Sequence, residues 1–211
     1  MQSKISLKGL LLTGGILFFP VIIFSLTFNL YSQVSYTEPV ALTSGKSVKS
    51  LQNITPKKQT KPSLPVRLKI PNLKIDIPLE HVGITRQGAM DVPKSPTGVA
   101  WFNLGPRPGE EGSAVIAGHY GVWKNGKVGA FNNLSQLNKG DKLFIEDEKG
   151  KTITFVVREF RTYGQNEDAS NVFGSSDGKA HLNLITCQGA WNKIKKNYPN
   201  RLIVFTDREI K

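Results

Sequence analysis

Cysteine is almost absent: Cys187 stands alone among 211 residues. One thiol can build neither an intrachain disulfide framework nor a cysteine-rich zinc site. Histidine occurs only as His81, His119 and His181, so any imidazole acid or base is one of these. Acids are scarce near the start, where residues 1–63 hold seven lysines and the single acid Glu38. Helical periodicity is scarce too. Only Ala130–Leu137 spaces its apolar residues (Ala130, Phe131, Leu134, Leu137) for one helical face, and a short helix is expected there. The lack of strand–helix alternation argues against a Rossmann or TIM fold. No internal repeat is visible.

What is present divides the chain into parts. Gly9 to Leu30 is a run of 22 uncharged residues rich in Leu, Ile, Phe and Val. A helix of that length spans the roughly 30 Å of bilayer hydrocarbon. The run exceeds the apolar core of about 7–15 residues of a secretory signal and lacks a small-x-small cleavage pattern, so an uncleaved anchor is expected. Lys4 and Lys8 precede it, which puts residues 1–8 in the cytoplasm and everything after Tyr31 outside. Residues 31–63 mix Thr, Ser, Gln, Lys and Pro without hydrophobic period and read as an extended tether, a solvated spacer whose lysines can also rest on anionic lipid or polymer.

Residues 64–211 form the globular part, with 21 basic against 15 acidic residues and no concentrated charge run, which argues against nucleic acid as a partner. Short β-type runs separated by turn residues place strands at Val66–Ile70, Ile75–Leu79, Ala100–Phe102, Ala114–Ala117, Lys142–Glu146, Thr152–Arg161, Leu182–Thr186 and Leu202–Thr206. Eight short strands with Gly- and Pro-rich connections imply a mainly β fold, a closed barrel or a sandwich.

Cys187 ends an apolar run and precedes Gln188-Gly189, the setting of a strand end. Two readings stand side by side: a small buried hydrophobe, or a nucleophile whose reactivity justifies an unpaired thiol outside the cell. A nucleophile needs a proton partner and an oxyanion donor. His181, six residues before Cys187 in one strand, would stand roughly 20 Å away on the same face. His81 reads as an edge histidine. His119 follows the run Ser113–Gly118 and can project from a barrel rim. Arg201 opens the last apolar run, which pairs with the Cys187 strand if consecutive strands are neighbours. Alone it reads as a solvated arginine; beside the thiol it is an oxyanion donor.

Gly118-His119 after one apolar strand, Leu184-Ile185-Thr186-Cys187 ending another, and Arg201 in Asn200-Arg201-Leu202-Ile203-Val204 resemble the sortases, membrane-anchored cysteine transpeptidases of Gram-positive surfaces. Met90 through Pro96, Ala100-Trp101-Phe102 and Pro108 through His119 are similar to the sortase approach to its histidine. The resemblance covers residues 64–211. It implies an eight-stranded sortase β-barrel, with Cys187 as nucleophile, His119 as catalytic histidine and Arg201 as oxyanion-stabilising arginine. The implied substrates are exported proteins with a C-terminal sorting signal of the Leu-Pro-x-Thr-Gly type. The implied acceptor is an amine of a peptidoglycan precursor or a protein lysine, and no cofactor or metal is called for. The lack of a hydrophobic segment after Arg201 and of an Asp-Pro-aromatic lid motif before the barrel is similar to the compact class D, E or F enzymes. Glu110, Glu111 and Glu146-Asp147-Glu148 read as solvated acids rather than a calcium site. The rival readings are a secreted cysteine peptidase and a non-enzymatic, membrane-anchored surface-binding β-domain with an inert Cys187.

Overall fold

Alternation of side chains along a strand decides which residues face a barrel's interior and which face outward. The computed structural model describes residues 61–123 and 126–210, and in it eight strands follow that alternation. They are β1 (Pro65–Ile70), β2 (Ile75–Val82), β3 (Val99–Phe102), β4 (Gly112–Gly118), β5 (Lys142–Asp147), β6 (Thr152–Gly164), β7 (Ala180–Gln188) and β8 (Asn200–Arg208). The sheet closes in the order β1-β2-β3-β4-β7-β8-β6-β5, so the barrel forms rather than the sandwich. Each run expected to be a strand is one, lengthened by a few residues at one end or both.

Most neighbours are antiparallel, but β2 pairs with β3 and β4 with β7 in parallel. A parallel pair cannot be joined by a tight hairpin; here β5 and β6 intervene before β7 returns beside β4. The interior holds Ala114 and Ile116 of β4, Leu182 and Leu184 of β7, and Leu202 and Val204 of β8, with Leu68, Val99 and Phe155 opposite. Residues of the other phase (Val115, Ile203 and Phe205) form a second, smaller cluster on the outer face with Tyr163 and Val172. All seven residues of β4 are therefore buried, as expected for a strand covered on both faces.

Ala130–Leu137 is not an α-helix. Only Leu134–Gln136 is helical, as one 3-10 turn, with i to i+3 bonds such as Gln136 N to Asn133 O at 2.9 Å. The apolar spacing was read correctly, since Phe131, Leu134 and Leu137 are all buried in the main core. The type of turn was not. Asn132 and Asn133 are weak helix formers, and Asn132 uses its Oδ1 to accept from Gly121 N at 3.1 Å, which draws the segment toward the β4 end.

The expected anchor (residues 9–30) and all but the last three residues of the expected tether lie outside the described residues. Lys61 and Pro62 are fixed to the barrel: Lys61 pairs with Glu110 at 3.4 Å, and Arg107 donates to the Pro62 carbonyl at 2.8 Å. Among the described residues, no helix is long and apolar enough to cross a membrane.

Gly118 closes β4 against the buried Phe131. A Cβ added there would come within 2.6 Å of two Phe131 ring carbons, so the strand end can approach the ring only as glycine. Gly118→Ala should destabilise the domain by about 1–3 kcal/mol, the usual scale of overpacking. Chemical denaturation checks this, and Phe131→Leu in the same chain should recover part of the loss.

Candidate active site

The outer face of β4, β7 and β8 is a ladder whose rungs can be read from the strand register. Ser113, His181 and Asp207 form one rung; Val115, Asn183 and Phe205 the next; Ala117, Ile185 and Ile203 the third. The fourth pairs Cys187 directly with Arg201. On the β4 side, Ala117 faces Ile185 at an offset of 68 residues, and Gly118 O accepts the Thr186 hydroxyl at 2.8 Å with that same offset. One residue further on, His119 leaves the strand at the level of Cys187. Three residues distant in sequence thus lie toward one end of three adjoining strands.

Each side chain has its own restraints. His119 Nε2 lies 2.8 Å from the Pro93 carbonyl, which can only accept, so Nε2 carries a proton and Nδ1 is the free ring nitrogen of the neutral form. Trp123 packs edge-on against the ring at 4.9 Å between centroids. Arg201 Nη1 donates to the carbonyls of Tyr198 (3.1 Å) and Asn200 (2.9 Å). This holds the guanidinium plane by one nitrogen and leaves the remaining N–H groups for another acceptor. Cys187 is half-buried and unpaired. Burial pushes its thiol above the ordinary value, and the Arg201 charge pulls it partly back.

Tyrosines the sequence reading passed over complete the surroundings. Tyr198 stacks edge-on with Tyr120 at 5.2 Å and with Trp191 at 5.0 Å. Burial pushes its phenol up, and the nearby Cys187 and Tyr120 add to that. A Cβ on Gly121, whose φ is +81°, would stand 2.2 Å from the Tyr198 hydroxyl, so this close approach also requires glycine. Thr186 was missed as well. A lone hydroxyl at an inward position of an apolar strand was the available signal, and its bond to Gly118 O fixes the register.

The other two histidines are occupied elsewhere. His181 is buried, with Nδ1 2.7 Å from Asp207 and Nε2 3.0 Å from Asp177. It ties the β6–β7 connection to the barrel, six residues from Cys187 in an unbroken strand. His81 is exposed on β2, with Nε2 2.9 Å from the Pro65 carbonyl. A cavity on this face lies at the His181 end, lined by Ser113, Arg158, Asp177, His181 and Asn183 among others. The thiol sits at the open end.

Acids that the sequence offered for a metal are engaged with the chain. Asp147 Oδ1 accepts from Lys149 N and Lys151 N at 2.9 Å each, and Glu146 pairs with Lys69 at 2.9 Å. Among the described residues no cluster of three or more potential ligands could hold a metal ion.

The thiol's environment fixes the sign of its pH response. Alkylation by iodoacetamide, which requires thiolate, should accelerate from neutral into alkaline pH. Arg201→Ala removes the positive charge that stabilises thiolate, so its alkylation profile should move to higher pH. A profile that moves down or stays put would show that Arg201 does not act on the sulfur.

A family model described as the sortase domain matches residues 68–209. No curated protein sequence matches. Among solved structures, the chain is similar to sortase C-1 of Actinomyces oris (24% identity, TM-score 0.54, 69% of this chain and 74% of that one covered). A sortase C from Streptococcus agalactiae is similar at 22% identity and TM-score 0.54, with 69% and 67% covered. A lid mutant of sortase A from Corynebacterium diphtheriae is similar at 21% and 0.52, with 76% and 77% covered. At these identities the likeness is one of fold, and it agrees with the observed barrel. The family match is the stronger finding: with residues 68–209 of 211 under it, the chain belongs to the sortases, a family of cysteine transpeptidases.

Proposed function

We propose that Cys187, His119 and Arg201 are the reacting group of this transpeptidase, and that it joins exported proteins bearing a Leu-Pro-x-Thr-Gly type signal to an amine. The observation that supports the reading is the register: Cys187 faces Arg201, and His119 directly follows Gly118, whose carbonyl accepts from Thr186, the neighbour of Cys187.

Chemistry follows from the groups. Burial favours the neutral thiol, so its proton passes to His119 as the sulfur attacks the Thr carbonyl. Charge then develops on the carbonyl oxygen, where a free N–H of Arg201 donates to it. An arginine suits this because it is permanently charged and cannot act as a competing base. The Thr–Gly bond breaks, His119 returns the proton to the departing amine, and a thioester remains on Cys187. An acceptor amine attacks the thioester, gives its proton to His119, and forms the new amide as the thiol is released. The acceptor is an amine of a peptidoglycan precursor or a lysine of another protein. A thioester suits this second half because amines compete well with water for it.

The uncharged run Gly9–Leu30, with Lys4 and Lys8 before it, supports a single-pass anchor in the cell membrane with the barrel outside. That arrangement holds the thiol where exported chains emerge. The compact class D, E or F type rests on the sequence alone, in which no Asp-Pro-aromatic motif precedes Leu64.

Incubating the protein with sorting-signal peptides and amine acceptors, followed by mass spectrometry, tests the reaction directly. Cys187→Ala should abolish transfer with the fold intact, because one half-buried sulfur at a strand end contributes little packing. Loss of folding, or residual transfer, would favour a structural cysteine. His119→Ala should lower turnover by about 100- to 10,000-fold. Folded His181→Ala should lose far less, and equal losses would remove His119 from its role. Arg201→Lys keeps the charge but misplaces the donor, and should slow acylation by about 100-fold with little change in melting temperature. Wild-type acylation would return Arg201 to a structural part. For topology, protease added to intact protoplasts should degrade the barrel; survival until lysis would reverse the orientation.

A further inference from the structure

Two loops border the open end of the thiol face, and both are small hairpins. In the first, Val122 bridges to Val128 and Trp123 N donates to Lys127 O at 2.9 Å. In the second, Asn192 bridges to Asn197, with Asn192 N donating to Asn197 O at 2.9 Å, so residues 193–196 form its tip. The rings of Tyr120, Tyr198 and Trp191, stacked in sequence, join the two hairpins into one surface. That surface is apolar where it should be polar: Trp123 is 42% exposed, Trp191 49% and Ile194 93%. Its charge is mainly positive. Residues 189–199 contain three lysines and no acid, Lys193, Lys195 and Lys196 are all exposed, and the neighbouring acid Glu167 is bonded to Gly164 N.

We propose that this surface, formed by Trp123 and by the 191–196 hairpin, docks on an anionic lipid bilayer, so that the mouth of the thiol site faces the membrane. Exposed indoles and an isoleucine beside lysines match the layered chemistry of such a surface. The lysines meet lipid phosphates, the indoles lie at headgroup level, and Ile194 reaches the acyl boundary. A dissolved polyanion would satisfy the lysines but give Ile194 and the indoles no apolar phase. The surface stands on its own geometry and does not depend on the roles given to Cys187, His119 and Arg201.

Tryptophan makes the test direct, because the chain has only three: Trp123 and Trp191 on this surface, and Trp101, which is 2% exposed and serves as an internal reference. The full chain is reconstituted into phosphatidylglycerol or phosphatidylcholine vesicles, each with plain or acyl-brominated lipid, and tryptophan emission is recorded. In brominated phosphatidylglycerol, most of the Trp123 and Trp191 emission should be lost while that of Trp101 remains. Brominated phosphatidylcholine should quench little, and the loss should shrink in salt near 1 M, where the Debye length is about 3 Å. Trp123→Phe and Trp191→Phe assign the loss to each hairpin. Lys193→Glu with Lys195→Glu should abolish most of it. Unquenched emission from chains that co-float with brominated phosphatidylglycerol vesicles overturns the proposal, as does equal quenching in both lipids. Flotation with phosphatidylcholine vesicles reports on the anchor separately. Its failure alongside retained quenching in phosphatidylglycerol would refute the anchor and leave the docking surface standing.

Discussion

The parallel pairing of β4 with β7 is the contact on which the site depends. β7 is hydrogen-bonded on both sides, to β4 and to β8, so its register fixes what lies left and right of Cys187. A slip by one residue would turn Cys187 inward and put Thr186 on the outer face. The Thr186 hydroxyl bonded to Gly118 O opposes that slip, since a buried hydroxyl without its acceptor would cost on the order of 1–3 kcal/mol. The burial of Leu182 and Leu184 inside the barrel acts in the same direction.

Around that register the protein keeps its thiol in a guarded state. Half-burial raises the thiol toward its neutral form, which is less easily oxidised, while Arg201 on the neighbouring strand offers charge to the thiolate. Tyr198 presses the two functions together: its carbonyl restrains Arg201, and its ring sits against Tyr120 at the exit of β4. The hold on Arg201 is a main-chain one, so a substitution at Tyr198 acts first on the ring contacts with Tyr120 and Trp191.

The two ends of the outer face are built for different tasks. At the His181 end the charges form a paired cluster, with His181 between Asp177 and Asp207, and Arg158 also near Asp207. This is the chemistry of a clamp, and it fastens the loop that carries Val172 over the second apolar cluster. At the Cys187 end the hairpin of residues 192–197 carries three exposed lysines, and Trp191 and Trp123 are exposed. The asymmetry separates a part that holds the fold from a part that meets other molecules.

Much of this was legible in the residues. Strands follow from local alternation of apolar and polar side chains, a property of each segment by itself, so all eight could be placed before their pairing was known. The lone thiol, the Gly-His strand end and the arginine opening the last apolar run were legible for the same reason. The 130–137 segment was half legible: its apolar positions are local, but whether it winds as an α-helix or as turns depended on Asn132 bonding to Gly121, a contact made only in the folded chain. Closure into a barrel, the parallel β4–β7 register, the carbonyls that hold Arg201 and the aromatic chain from Tyr120 to Trp191 are products of tertiary structure. The sequence determined which segments are strands and which side chains can do chemistry, because those depend on neighbours along the chain. Only the fold decided which of them stand together, because that depends on hydrogen-bond register between strands separated by dozens of residues.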